Sequence, residues 1–462
     1  MCRRLRTFLQ PVVMFAQVGS TIYETGLLML LKERYNSTAN SSFSNASHSE
    51  EDEQQKAISN FYMISNIILG VSPVLTALCL ARLGDKGYRK LQVCLPLVGY
   101  LLSRVMLLLV ILFEWPVQVM FGAVILQGLS GSYCAYWAGV MAITADQSTE
   151  KLRAVQMESV QVAYGVAGLI GSMTSGYIYN LDANRQHPGV ILAVLSSTFT
   201  LLSLIYSTFL LKTQSIEKSP SNGLTQENCT INQNSEISDD MGDSVPSIDC
   251  KVVGDKDQPA PLNSFQQINI VLLFIAAVLY DTGDGQFMNI RASFVVKEPL
   301  NWNVKLIGYG NAANFAIYFT SFLGVCAFHR CLSDAFMVGI GILSFASGLL
   351  LMAFVTKTYM YFVARALNLF ALMTMPTIRS MLSKQVDASS YGKIFVLLEL
   401  SFTLASVITS PIFTKIYQAT LDWFAGFCFI LSSILSFLAI IPVGVVAYRT
   451  RQQQGYEPIP SS

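Results

Sequence analysis

Residues 212–266 read KTQSIEKSPSNGLTQENCTINQNSEISDDMGDSVPSIDCKVVGDKDQPAPLNSFQ. The stretch holds nine acids and four bases, a net of −5, and is rich in Ser, Asn, Asp and Pro. Such a composition buries too little apolar surface to offset the entropy of ordering, so it predicts a disordered linker and not a domain. On either side the composition inverts. Upstream lie six apolar stretches, at 11–31, 58–80, 91–113, 117–141, 155–179 and 189–211; downstream lie six more, at 267–290, 304–328, 335–355, 358–381, 392–416 and 424–447. Each is close to the roughly 20 residues a helix needs to cross the hydrocarbon layer. Lipid offers no partner to a bare backbone, so these stretches must be helices. Barrel strands would be short and alternating, which these are not. The reading is an all-α polytopic membrane protein with twelve transmembrane helices in two six-helix bundles, 11–211 and 267–447.

The whole composition agrees. Over 462 residues, 52% are hydrophobic and only 13% charged, against about 25% charged in soluble domains. Thirty basic and 29 acidic residues give a net charge of +1, so no basic surface points to a nucleic acid polymer as partner. The three histidines are far apart, and the nine cysteines form no C-x-x-C pair, which argues against a metal site, a zinc module and a disulfide framework. There is no G-x-x-x-x-G-K-[ST] loop for ATP, no nucleophile elbow and no H-E-x-x-H. The chain therefore reads as no enzyme, with no cofactor.

Lys and Arg placement sets the orientation. With the N-terminus inside, short cytoplasmic loops and tails hold fifteen basic residues and the outer loops nine. Residues 1–10 and 448–462 are then cytoplasmic, as is 212–266. Loop 32–57 falls outside, where its sequons at Asn36, Asn40 and Asn45 are expected to be glycosylated. The sequon at Asn228 faces the cytosol and is expected to stay unmodified. The first apolar run is preceded by Arg3, Arg4 and Arg6, as in a signal peptide, but it is long, holds Glu24 and lacks a small-residue cleavage site, so it reads as a retained span. The expected address is the cell membrane; the tail GYEPI (455–459) fits a sorting signal for endosomal or lysosomal membranes.

Six spans, a long central loop and six spans is the layout of major facilitator transporters, whose halves rock around a midplane site. The loop ARLGDKGYRK (81–90) resembles the superfamily motif G-x-x-x-D-[RK]-x-G-[RK]-[RK]: Asp85, Lys86, Arg89 and Lys90 match, while Ala81 and Tyr88 replace its glycines. The resemblance implies a gating loop whose aspartate caps across the two halves and stabilises the outward-open state. KLIGYG (305–310), TSFLG (320–324), TIRSMLSK (377–384) and Tyr417–Thr420 resemble solute carrier family 46, the proton-coupled folate transporter group. QQKAISNFY (54–62), SSYGK (389–393) and SFLAIIP (436–442) resemble its thymic stromal cotransporter branch more closely. This implies import of bulky organic anions with protons: folate- or antifolate-like molecules, muropeptides or cyclic dinucleotides. Departures are informative. Loop 32–57 has no cysteine, Asn301 stands where the folate carrier has one, and span seven lacks that carrier's histidine. Folate itself is a poor expectation.

Charge inside a bilayer costs about 2.5–3.5 kcal/mol on insertion scales. A proton-coupled anion importer needs cations to hold the anion and a carboxylate whose proton affinity responds to its surroundings. Candidate substrate-binding residues are Arg379, Arg104 and Arg365, with Tyr309 to stack on a ring. Arg379, in TIRS, matches the family's span-ten arginine, and a guanidinium grips carboxylate or phosphate bidentately. Its plainer role is a cytoplasmic-end anchor. Candidate proton-coupling groups are Glu158, Asp281, Asp284, Asp146, Glu24 and Glu399. In the family a carboxylate precedes a G-[VL]-A-G segment; here Gln161 holds that place and Glu158 lies one turn away. Asp146 reads chiefly as a tie for the loop after span four. Asp281 and Asp284 are flanked by Gly283 and Gly285, which predicts a broken helix in span seven; the plainer reading is a solvated helix end. Tyr133, Tyr136 and Trp137 are candidates for ring stacking or simple packing. A non-transporting receptor or scaffold is the alternative to transport, and the intramembrane charges argue against it.

Overall fold

The computed structural model describes residues 8–39, 47–182, 189–211, 264–296, 300, 302, 304–420 and 423–454. The central linker 212–263, the sequons at Asn40, Asn45 and Asn228, and the tail motif lie outside the described residues. The N-terminal bundle is built from α1 (Gln10–Ala39), α2 (Ser47–Val71), α3 (Val74–Leu83), α4 (Arg89–Leu112), α5 (Val119–Leu129), α6 (Ser132–Gln147), α7 (Arg153–Asp182) and α8 (Val190–Ile205). The C-terminal bundle comprises α9 (Ser264–Val296), α10 (Val304–Phe328), α11 (Asp334–Ala353), α12 (Thr358–Leu367), α13 (Thr374–Ser383), α14 (Tyr391–Thr420), α15 (Phe427–Leu438) and α16 (Ile440–Gln454). Among the described residues nine stretches are long and apolar enough to cross a membrane. One of them, Asn60–Leu112, has 53 residues and is two spans joined by a wide turn at Gly84–Tyr88. With α7 and α10 the spans number twelve. Helix α1 continues to Ala39, so Asn36 belongs to its last turns and not to a loop beginning at 32.

Several spans are not continuous helices. Span four breaks between α5 and α6, where Gly131 and Ser132 have φ of 101° and 49°. Span ten breaks between α12 and α13 at a tight turn, Ala371–Met373, and Pro376 sits in the first turn of α13 where its missing N–H is not needed. Unpaired backbone at that depth must find partners inside the protein. The Leu369 carbonyl accepts from Thr320 Oγ1 at 2.8 Å and Ser321 Oγ at 3.0 Å. The Leu372 and Phe370 N–H groups donate to Ser321 Oγ and Ser344 Oγ, each at 3.2 Å. The Tyr280 hydroxyl donates to the Ala371 carbonyl at 2.7 Å.

Span seven, by contrast, is unbroken. The predicted interruption at Gly283 and Gly285 is corrected: α9 runs through both. Gly283 serves close approach instead. A Cβ there would lie 2.5 Å from Ser436 Oγ and 3.0 Å from the Ser432 carbonyl of α15. The same logic holds in α7, where Gly165 faces the Tyr318 ring of α10 and Gly171 faces Thr21 of α1. One apolar core fills the C-terminal bundle around Phe287, Phe345, Tyr361 and Phe429. Another joins the N-terminal bundle around Trp137, Tyr136 and Leu97 to Tyr391, Phe395 and Val396 of α14. The two bundles are thus closed on each other at the end that carries residues 81–90.

Candidate substrate and proton site

Charged groups tie that closed end together, which makes it the candidate gate. Asp85 accepts hydrogen bonds from the Gly392 and Lys393 N–H groups at 2.7 and 2.9 Å. These are among the orphan donors at the start of α14, where the helix dipole favours an anion. Gly392 is small by necessity, because a Cβ would lie 2.8 Å from Asp85 Oδ1 and 3.1 Å from the Ala81 carbonyl. The turn that presents Asp85 contains Gly87 at φ 106°, a conformation costing an ordinary residue about 1–2 kcal/mol. Arg89 is buried, pairs with Asp146 at 2.8 Å, and donates to the Ala142 carbonyl at 3.3 Å and to the Ala388 carbonyl. Lys90 reaches the Thr208 carbonyl at 3.4 Å, and Lys86 is exposed. Two gate residues escaped the sequence reading. Arg153 donates to Ser383 Oγ at 2.7 Å, and Arg89 and Arg153 both stand over the Tyr391 ring, at 5.6 and 5.3 Å. Their only sequence signals were a positive-inside lysine-arginine count and membership of the segment SSYGK.

Away from the gate the bundles part around a cavity of about 1770 Å³. Helix α1 lines it from Gln17, α7 from Tyr164 and α14 from Glu399 to Gln418, so these helices contribute only their portions beyond the gate. Arg104 and Glu24 stand on the N-terminal wall, and Arg379, Glu399 and Asp281 on the C-terminal wall. Arg104 is 2% exposed. Its Nη2 donates to Ser20 Oγ at 2.8 Å, and its guanidinium lies over the Tyr23 and Tyr100 rings at 5.3 and 5.1 Å. Its Nε has no hydrogen-bond partner, and no carboxylate among the described residues is within ion-pair distance. Arg379 differs, for its Nη2 meets Glu399 Oε1 at 2.7 Å, both side chains being buried. Asp281 is in electrostatic reach of both.

Glu158, on α7 of the N-terminal bundle, is fully buried, off the cavity lining and in electrostatic reach of Arg379. Neither of its oxygens has a hydrogen-bond partner among the described residues. Asp284 is in electrostatic reach of Arg365 and Arg291 of the C-terminal bundle. Arg365 stands over the Phe287 ring at 5.2 Å. The structure places Asp284 and Arg365 off the cavity, and Tyr309 also, 53% exposed on α10. Tyr133 does line the cavity and stacks on Trp137 at 5.7 Å and 12°, whereas Tyr136 is packed against Tyr100. Among the described residues no cluster of His, Cys, Asp and Glu is arranged to hold a metal ion.

No family model matches the chain. It is, however, 44% identical to solute carrier family 46 member 2 of Mus musculus, over 98% of this chain and 95% of that protein. The chain belongs to solute carrier family 46. The canine member 2 is 42% identical over 96% of this chain and 94% of its own. A lysosomal proton-coupled steroid conjugate and bile acid symporter of Gallus gallus is 31% identical over 91% and 87%. Among solved structures, the human organic anion transporter MFSD10 (TETRAN) superposes with a TM-score of 0.64 at 16% identity, covering 94% of this chain and 98% of its own. The outward conformation of FucP also scores 0.64, at 11% identity, over 95% and 97%. These establish the major facilitator fold for the family 46 chain. It is a multi-pass membrane transporter of a small-molecule solute, and its relatives are carriers, not enzymes.

Proposed function

We propose that this carrier imports bulky organic anions together with protons by alternating access, in an outward-facing state with the gate end cytoplasmic. One observation carries the reading: arginines from opposite bundles, Arg104 and Arg379, line one cavity with the carboxylates Glu24, Asp281 and Glu399. A volume of about 1770 Å³ exceeds the usual ligand pocket of about 300–1,000 Å³, which suits a large solute. The apolar wall, from Met63, Ile67 and Val407 among others, suits an anion with a ring or hydrocarbon body. Antifolates, muropeptides and cyclic dinucleotides fit that description, as do the steroid conjugates and bile acids in the avian relative's name. Arg104, buried and without an ion pair among the described residues, is the primary anion site. Arg379 becomes available when a proton neutralises Glu399. Glu158, in electrostatic reach of the same arginine, receives it as the gate opens.

Uptake of radiolabelled antifolate, muropeptide, cyclic dinucleotide and sulfated steroid into proteoliposomes at outer pH 5.5 and 7.4 tests this. Uptake of at least one, greater at pH 5.5, is expected. Failure of all four would favour a non-transporting receptor.

A further inference from the structure

Glu24 and Arg104 share a wall of the cavity but do not pair. Glu24 is exposed to the cavity on α1, and among the described residues it makes no hydrogen bond or ion pair. Arg104, on α4, is in electrostatic reach of it. The guanidinium is fixed by Ser20 and by the rings of Tyr23 and Tyr100, so it is preorganised and makes no ion pair among the described residues. A carboxylate in electrostatic reach of a fixed cation occupies by its charge the field that an incoming anion needs.

We propose that Glu24 is a built-in competitor for the anion site at Arg104: an external anion takes Arg104 only when Glu24 carries a proton, so proton and anion enter the N-terminal bundle together. This rests on the anion-import reading above and adds to it a second coupling group, separate from the Arg379–Glu399 pair. The balance is simple. Glu24 takes one proton from the medium on the open side and becomes a neutral acid, and the anion's charge replaces the carboxylate's against Arg104. No covalent step or co-reactant is involved. The wall then keeps the same net charge empty and loaded, which avoids placing two negative charges beside one cation in a low-dielectric cavity.

The surroundings leave Glu24 as the group that titrates. On α1 its neighbour is Tyr23; α2 contributes Tyr62, α4 contributes Tyr100 and Arg104, and α7 contributes Tyr164. Helix α8 carries no titratable side chain. Across the cavity stand Asp281, Arg379, Glu399 and Lys415. Tyrosine and arginine side chains keep one charge state between pH 5.5 and 7.4, and Glu24 is the carboxyl that the N-terminal wall presents to the cavity, so it is the group there that can exchange a proton with the medium.

The test uses tritiated estrone sulfate, and a cyclic dinucleotide as second probe, because neither changes charge over that range. In the full-length carrier in proteoliposomes, Glu24→Gln is expected to lower KM at outer pH 7.4 to the wild-type value at pH 5.5, bringing the ratio of the two KM values near unity. Glu24→Asp, which keeps the titrating group, retains the pH dependence. Arg104→Ala raises KM at both pH values and removes the effect of adding Glu24→Gln. A Glu24→Gln carrier whose KM still rises between pH 5.5 and 7.4 as in wild type overturns the proposal and leaves anion import standing. If Glu24→Gln does not reach the membrane, loss of the pH dependence of KM in Glu24→Asp overturns it. Failure of the wild type to take up either probe overturns anion import for these classes, and this competitor role with it.

Discussion

Arg379 and Arg104 show how one residue type in one cavity takes two roles. Arg379 is held by Glu399 at 2.7 Å, so part of its charge is spent inside the protein. Removing one member of a buried pair leaves an uncompensated charge and costs about 3–5 kcal/mol. Arg379→Ala is therefore expected to lower thermal stability and abolish uptake, while Arg379→Ala with Glu399→Gln recovers much of the stability and none of the uptake. Thermal unfolding in detergent beside an uptake assay reads both. Full uptake by the single variant would remove the role. Glu158 predicts a different phenotype. Its buried oxygens lack hydrogen-bond partners among the described residues, so Glu158→Gln keeps or raises stability. It is expected to abolish stimulation of uptake by an inward proton gradient while sparing anion exchange at equal pH. Undiminished stimulation would move the proton elsewhere.

At the scale of elements, the gate is a set of short-range contacts between α14 and loop 81–90. Asp85 accepts two N–H groups at the start of α14. Hydrogen bonds to a charged group contribute about 1.5–3 kcal/mol each. Asp85→Ala is expected to shift the carrier toward the state open at the gate end. A cysteine introduced as Ser406→Cys, on the cavity wall, would then react more slowly with an impermeant thiol reagent applied outside; an unchanged rate would contradict this. Tyr391→Ala, which removes the ring under Arg89 and Arg153, should act in the same direction. The loop's charges were legible because they follow a known spacing. Its turn was not, because the glycine stands at 87 and the pattern expects one at 88. The broken span was misplaced for a related reason. Paired glycines in span seven weaken a helix in isolation, yet there they admit α15. The real break in span ten depends on Ser321, Ser344, Thr320 and Tyr280, which arrive from other helices.

For the whole molecule, orientation is the first thing to measure. Simultaneous Asn36→Gln, Asn40→Gln and Asn45→Gln is expected to remove all N-glycan, seen as loss of an electrophoretic shift on glycosidase treatment, while Asn228→Gln changes nothing. A glycan at Asn228 would reverse the inside and outside assigned here. Apolar length, the polar centre and the basic bias are properties of the chain itself, since the bilayer reads them segment by segment. They determined helices, their number and the two-bundle division. Which intramembrane charges share a cavity was settled only by tertiary structure, because helices joined by long connections place residues as distant as Glu24 and Glu399 on one space while Asp284, three residues from Asp281, is off its lining. Residues three apart lie only about 60° apart around a helix, so periodicity leaves Asp281 and Asp284 on one face, and only the packing of one bundle against the other says which of them lines the cavity.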